Sequence, residues 1–445
     1  MNELELVEAA KKVLDDNWTG KFTIPSATLY PHQWSWDSCF IAIGNSYFDT
    51  DRSMKELEYL FDAQWWNGMI PHIVFNENEN TYFPSSAYYD ITRSPDAPEH
   101  IGTSGMTQPP VHALACFYIH YNSKDKTKTK EFLTKVYPNL LKFHRYLMTE
   151  RDPEKSGLVT IFHPWESGRD DSPIWDDALA RVNITKLSKF ERLDVLAVDG
   201  KERPSDEEYN KFIFLLDLMK KYNYDGKVMY EKFPFKIKDV SFSCILYIAN
   251  KVLLHIASII GEENTQEISE WISRTEQNFY KYFVMPSDGK TNVSDDLFYD
   301  YDIIIGDRII KRTISSLSPI ITGLLSKERA ESIVKWISNA NFLAEYDTVT
   351  STDQDVSYFK PVTYWRGPIW ISTNWALRLG LLRYGYIDMA ERIKQGVFKL
   401  VTDQGFREYY DPTSGAGLGG KNFSWTAALL IDMIMMKGNA LFQKQ

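Results

Sequence analysis

Thr129-Lys-Glu-Phe-Leu-Thr-Lys-Val-Tyr-Pro-Asn-Leu-Leu-Lys-Phe-His-Arg-Tyr-Leu-Met-Thr149 carries the pattern that decides the fold. Its apolar residues Phe132, Leu133, Val136, Tyr137, Leu140 and Leu141 recur at intervals of three and four, the spacing of one buried helix face. The same periodicity returns at 2–17, 52–66, 109–122, 206–223, 240–261, 265–283, 326–339, 367–384, 386–401 and 424–436. The acids Asp206-Glu-Glu suit a first helical turn, and Pro109-Pro110 suits a helix entrance. Strand signals are confined to 69–75 and 157–163. Roughly a dozen helices against two or three short strands predict an all-α chain.

The polar stretches 76–106, 185–205, 285–302, 345–363 and 411–422 join helices, but their aromatic and Pro content is wrong for flexible spacers. No fixed-period repeat is present. The expectation is one domain over residues 1–445, compatible with a toroid of six helical hairpins whose active-site loops share one face. A helical solenoid would show similar periodicity.

The 445 residues include 60 acidic and 50 basic side chains, a net charge of −10 that disfavours nucleic acid as partner. Cys39, Cys116 and Cys244 form no CxxC pair and read as buried reduced thiols. The N-terminal MNELELVEAAKKVL is charged and amphipathic rather than signal-like, so a cytoplasmic location is expected. Asn250, Lys251 and His255 interrupt the apolar run 240–261, which reads as a buried helix instead of a membrane span. The Asn-x-Ser/Thr triplets at Asn17, Asn183, Asn292 and Asn422 read as chance. The unusual quantity is the 14 % aromatic content, with 13 Trp and 26 Tyr. It fits either a large aromatic core or a pocket stacking on sugar rings.

Chemistry concentrates in four segments. His163-Pro-Trp-Glu-Ser-Gly-Arg-Asp-Asp-Ser-Pro-Ile-Trp-Asp-Asp177 holds Glu166, Asp170, Asp171, Asp176 and Asp177, framed by Trp165 and Trp175. A solvated acidic loop would rarely carry two Trp, whereas aromatic walls and neighbouring carboxylates keep a general acid protonated. In Gly405-Phe-Arg-Glu-Tyr-Tyr-Asp-Pro, Glu408 lies beside Arg407, as a general base or a salt bridge would. Tyr30-Pro-His-Gln-Trp-Ser-Trp-Asp37 opens a helix expected at 38–47. There Asp37 reads as an N-cap, or as an acceptor for sugar hydroxyls with Trp36 as platform. Tyr364-Trp-Arg-Gly-Pro-Ile-Trp370 is again aromatic and helix-opening. All four segments fall near helix N-termini, which a toroid can gather at one mouth.

Other chemistries lack their patterns. Gly415-Ala-Gly-Leu-Gly-Gly420 matches GxGxxG, but the turn-forming Asp411-Pro-Thr-Ser414 precedes it where a dinucleotide site needs a strand. There is no HExxH, no Gly-x-Ser-x-Gly and no EF-hand spacing among Asp295, Asp296, Asp300 and Asp302, which read as a solvated loop. No metal and no cofactor is expected.

Trp34-Ser-Trp-Asp37, Gly68-Met-Ile-Pro-His72, Thr103-Ser-Gly-Met-Thr-Gln-Pro-Pro110, Trp165-Glu-Ser-Gly-Arg-Asp170, Tyr364-Trp-Arg-Gly-Pro-Ile-Trp370 and Arg407-Glu-Tyr-Tyr-Asp-Pro-Thr413 occur in order over nearly the whole chain. Together they resemble glycoside hydrolase family 63, in its mannosylglycerate and glucosylglycerate hydrolase branch. Glu-Ser-Gly-x-Asp is also similar to the acid-bearing block of trehalases. The resemblance implies an (α/α)6 barrel and inverting hydrolysis of a small glycoside, with Asp170 as general acid and Glu408 as general base. It implies that Trp36 and Asp37 hold the sugar, and that Tyr30, His72, Tyr82, Gln108, Arg203, Tyr209 and Tyr364 line the glycerate side. Trp165, Trp365, Trp370 and Asn422 complete the expected substrate-binding set. Arg203 is the candidate clamp for the glycerate carboxylate. An exo-α-glucosidase acting on a neutral disaccharide is the alternative enzyme, expected if Arg203 points away from the pocket. A histidine-based sugar epimerase fits the carboxylate-rich motifs poorly, and a non-catalytic sugar-binding protein would not need both an acid and a base.

Overall fold

In a computed structural model, described over residues 1–286 and 296–436, the 129–149 pattern lies within a helix running Lys126–Thr149. Asp125 caps it by accepting the Lys128 N–H, so it starts ahead of its apolar stripe. Phe132, Leu133, Val136, Tyr137 and Leu140 are buried and Leu141 is half-buried.

Among the described residues, the helices of eleven residues or more are α1 Glu3–Asp16, α2 Ser35–Asn45, α3 Thr50–Asp62, α4 His112–Asn122, α5 Lys126–Thr149, α6 Asp206–Lys221, α7 Val240–Ile260, α8 Gln266–Phe283, α9 Lys327–Ser338, α10 Ile371–Arg383, α11 Ile387–Gln404 and α12 Ser424–Met435. An inner ring forms from α2, α4, α7, the 3-10 helix Ile314–Ile321, α10 and α12, and α12 packs back on α2 to close it. Outside it, α3, α5, α8, α9 and α11 pack on their chain neighbours, while α1 packs on α12 and joins the two ends of the chain. This alternation is the (α/α)6 toroid. Inner helices are covered on nearly every side, and every residue of α2 is buried. Helix α7 has the length and apolarity of a membrane span, yet it packs among α4, α5, α8 and the 3-10 helix.

Three positions differ from the sequence expectation. The inner 3-10 helix has no α-helical signature, because Ile314-Ser-Ser-Leu-Ser-Pro-Ile-Ile321 is Ser-rich and Pro319 lacks an N–H. Helix α2 begins at Ser35 after an extended Trp34, so Asp37 lies in its first turn and is not its N-cap. The supposed solvated loop is partly buried. The Asp300 carboxylate accepts the Val240 N–H at 2.9 Å, and Asp302 pairs with Arg181. Asn292 and Asp295 lie outside the described residues.

Among the described residues, the strand pairs are antiparallel and short. They are β1 Gln33–Trp34 with β2 Ile73–Val74, the sheet β3 Thr160–Ile161, β4 Ile237–Lys238, β5 Tyr301–Asp302 and β6 Asp307–Arg308, and the hairpin β7 Arg407–Tyr410 with β8 Gly417–Lys421. The GxGxxG match thus runs into the return strand of a hairpin. Asp411 closes its turn by accepting from the Thr413 N–H and the Ser414 hydroxyl. Cys39, Cys116 and Cys244 are free and buried on α2, α4 and α7.

Candidate active site

The first turns of α2 and α12 and the loops that lead into α4 and α10 converge on a cavity of about 380 Å³. Helix N-termini carry partial positive charge, which suits a site built from carboxylates. Tyr30, Trp36, Asp37, His72, Tyr82, Gln108, Trp165, Asp170, Arg203, Tyr209, Tyr364, Trp365 and Glu408 all line it.

The acidic segment is sorted by its partners. Glu166 is fully buried and takes both oxygens to Arg151, at 2.8 and 2.7 Å, with the Phe162 N–H donating as well. Arg169 donates to Asp239 at 2.6 Å. Asp171 and Asp176 both accept from Arg366. Asp177 is exposed, with Lys311 3.7 Å away. Among these five acids Asp170 alone lines the cavity. Burial pushes its carboxyl up to about 8, with Arg203 opposing and Glu408 adding to the rise. Gly168 explains the motif's small residue. Its φ is +68°, and a Cβ there would stand 2.5 Å from the Trp36 ring.

Glu408 sits at a bulge in β7, where the register shifts between Arg407 and Tyr409. A bulge re-aims a side chain. Its Oε1 accepts the Tyr30 hydroxyl at 2.8 Å, and its Oε2 accepts the Gly420 N–H at 2.8 Å and lies 3.4 Å from Arg203. A Cβ on Gly419 would fall 2.4 Å from that oxygen, so the glycines of β8 permit the backbone approach. Arg203 Nη1 donates to the Tyr30 oxygen at 2.9 Å, and its guanidinium lies 4.7 Å from the centre of the Tyr364 ring. The preceding Glu202 ties this segment down, its carbonyl accepting the Tyr364 N–H and its carboxylate the Gly419 N–H.

Asp37 lines the same cavity, and burial and the neighbouring Glu408 and Asp170 charges hold its carboxyl well above the usual range. Gln108 Oε1 accepts the Trp36 N–H at 3.3 Å. His72 bonds Ser104 at 2.7 Å, and burial lowers it to about 3, so it is neutral.

Two expected residues do not reach the cavity. Trp370 stacks behind Trp365 with ring centres 3.9 Å apart and donates to the Tyr364 carbonyl. Asn422 is exposed, and its carbonyl accepts from Asn17. Conversely, Trp34, Asp194, Phe423 and Trp425 line the cavity. The aromatic pair has a sequence signal, since Phe423-Ser-Trp425 opens α12 as Trp34-Ser-Trp36 opens α2. Trp425 meets Trp36 edge-on at 5.5 Å.

The sequence profile of the mannosylglycerate hydrolase MGH1-like glycoside hydrolase domain matches residues 30–426. The chain is 38% identical to a mannosylglycerate hydrolase of Rubrobacter radiotolerans over 97% of both chains. It is 34% identical to a glucosylglycerate hydrolase of Mycolicibacterium hassiacum over 97% of this chain and 98% of that one. The crystal structure of a GH63 mannosylglycerate hydrolase from Thermus thermophilus, in complex with Tris and D-glycerate, superposes with a TM-score of 0.88 at 38% identity, covering 96% of this chain and 99% of that chain. The matched region runs from Tyr30 at the cavity wall to α12 at the seam of the ring, and the chain belongs to the MGH1-like glycoside hydrolases of glycoside hydrolase family 63.

Proposed function

We propose that the protein hydrolyses mannosylglycerate, glucosylglycerate or both by inversion, in a single catalytic domain acting on a small cytoplasmic solute. One observation carries this: two carboxyls from separate segments, Asp170 on a loop and Glu408 on β7, face one cavity that also holds the buried cation Arg203. Asp170 is the general acid. It retains a proton at neutral pH and donates it to the glycosidic oxygen as the bond to the anomeric carbon breaks. Glu408 is the base. It takes a proton from the water that attacks the opposite face, and Tyr30 and Gly420 fix its orientation. Such a pair stands roughly 6.5–9.5 Å apart in an inverting site, leaving room for the water.

Trp36 and Asp37 hold the hexose, one by ring stacking and the other through hydroxyls. Arg203 meets the glycerate carboxylate beside the Tyr30 and Tyr364 hydroxyls. Its place on the cavity wall favours an anionic leaving group over a neutral sugar. The relatives act on mannosyl and glucosyl substrates, and these differ only at C2.

The test is proton NMR of the protein mixed in turn with mannosylglycerate, glucosylglycerate and trehalose. The expected result is free glycerate with hexose appearing first as the β anomer. Hydrolysis of trehalose alone, or initial release of the α anomer, would overturn the substrate or the stereochemistry respectively.

A further inference from the structure

Arg366 is 5% exposed and lies next to Tyr364 and Trp365, yet it does not line the cavity. It binds three carboxylates on two other parts of the chain. Nε donates to Asp171 at 3.1 Å, Nη1 to Asp176 at 3.1 Å, and Nη2 to Asp176 at 2.5 Å and to Glu208 at 2.6 Å. Asp171 follows Asp170 directly in the chain. Glu208 lies in the first turn of α6, and its other oxygen accepts the N–H and hydroxyl of Ser205, at 2.9 and 2.6 Å. Ser205 stands two residues after Arg203.

We propose that Arg366 is a positioning residue that sets the distance between the Asp170 loop and the Arg203 segment, so that leaving-group protonation and glycerate capture are aligned by one guanidinium. The inference rests on the roles given above to Asp170 and Arg203. Two physical facts support it. The Asp170 loop and the Arg203 segment come from distant parts of the chain, and the Arg366 side chain bridges them through these carboxylates. The bridge also needs a planar fork of donors reaching several carboxylates at once, which guanidinium supplies and an ammonium does not. Asp171 Oδ2 is buried without a partner, so the remaining bond to Arg366 carries the alignment of that carboxyl.

The experiment compares kcat and KM on the glycerate glycosides with those on α-mannosyl or α-glucosyl fluoride. The fluoride leaving group carries no carboxylate and needs little protonation. For Arg366→Lys, the glycerate glycoside should lose about 10–100-fold in kcat with a rise in KM of similar size, the scale of a small misplacement of reacting groups. Fluoride hydrolysis should change far less. Glu208→Ala cuts the link to α6 while leaving the Asp171 contact, so it should raise KM for the glycerate glycoside with little change in kcat. It keeps the test open if Arg366→Lys folds poorly.

Equal losses on both substrate types, or unchanged parameters on the glycerate glycoside in either variant, would overturn the positioning role. A wild-type protein that cleaves the fluorides but neither glycerate glycoside would instead sink the substrate assignment, and the inference with it.

Discussion

Asp170 keeps its proton to about pH 8 because burial outweighs the opposing charge of Arg203. Two outcomes follow from that balance. First, kcat/KM should fall as pH rises through about 8, and Asp170→Asn should lower kcat by about 10²–10⁴-fold, the usual contribution of a placed acid. An unaltered alkaline limb in the Asn variant would remove Asp170 from that role. Second, the folded chain binds a proton that the unfolded chain releases near the ordinary carboxylate value of about 4. This contribution to stability is complete below that value and is lost as pH rises through about 8. The melting temperature of Asp170→Asn relative to wild type should therefore rise between about pH 6 and about pH 9, as calorimetry would show. The acid was legible as one of five carboxylates in a Trp-framed segment. Which of the five reached the cavity was given by the family resemblance and not by the segment's own residues, because Arg151 and Arg366 claim their partners across 15 and 195 residues of chain.

The loop before Asp170 is held as an element by Glu166 and Arg151, both essentially inaccessible to water. Replacing one partner leaves the other charge buried and unpaired. Arg151→Met should destabilise the protein by about 3–5 kcal/mol in denaturant titration, and the double variant Arg151→Met, Glu166→Leu should recover much of it. Additive losses in that cycle would show that the two side chains do not act as a pair. Other elements were visible at different depths. The eleven long periodic segments all became helices, and Ser205 with Glu208 closes a capping box where Asp206-Glu-Glu announced a start. The hairpin carrying Glu408 was not visible, since four glycines and a bulge erase the alternation that identifies a strand.

Across the whole molecule, the ring closes because α1 and α12, from opposite ends of the chain, pack together and α12 packs on α2. Three of the inner helices carry the three thiols at zero exposure, and burial raises each of them above its ordinary value. None should react with a thiol reagent in the native state, all three should react in denaturant, and the rate should follow global unfolding. A thiol that reacts faster than the ring unfolds would show local opening at its helix.

Helical periodicity by itself determined that the chain is all-α, and the order of aromatic and acidic blocks determined its family, because both are local patterns readable without knowing what touches what. Tertiary structure decided the rest. It made the Ser-rich, Pro-containing segment 314–321 an inner member of the ring, where packing on α7 and α10 outweighs weak helical propensity. It set Trp370 behind Trp365 instead of in the cavity. It also put Asp170 in the cavity and its neighbours outside it, since a carboxylate's role depends on which cations the fold brings to it, and those come from other segments of the chain.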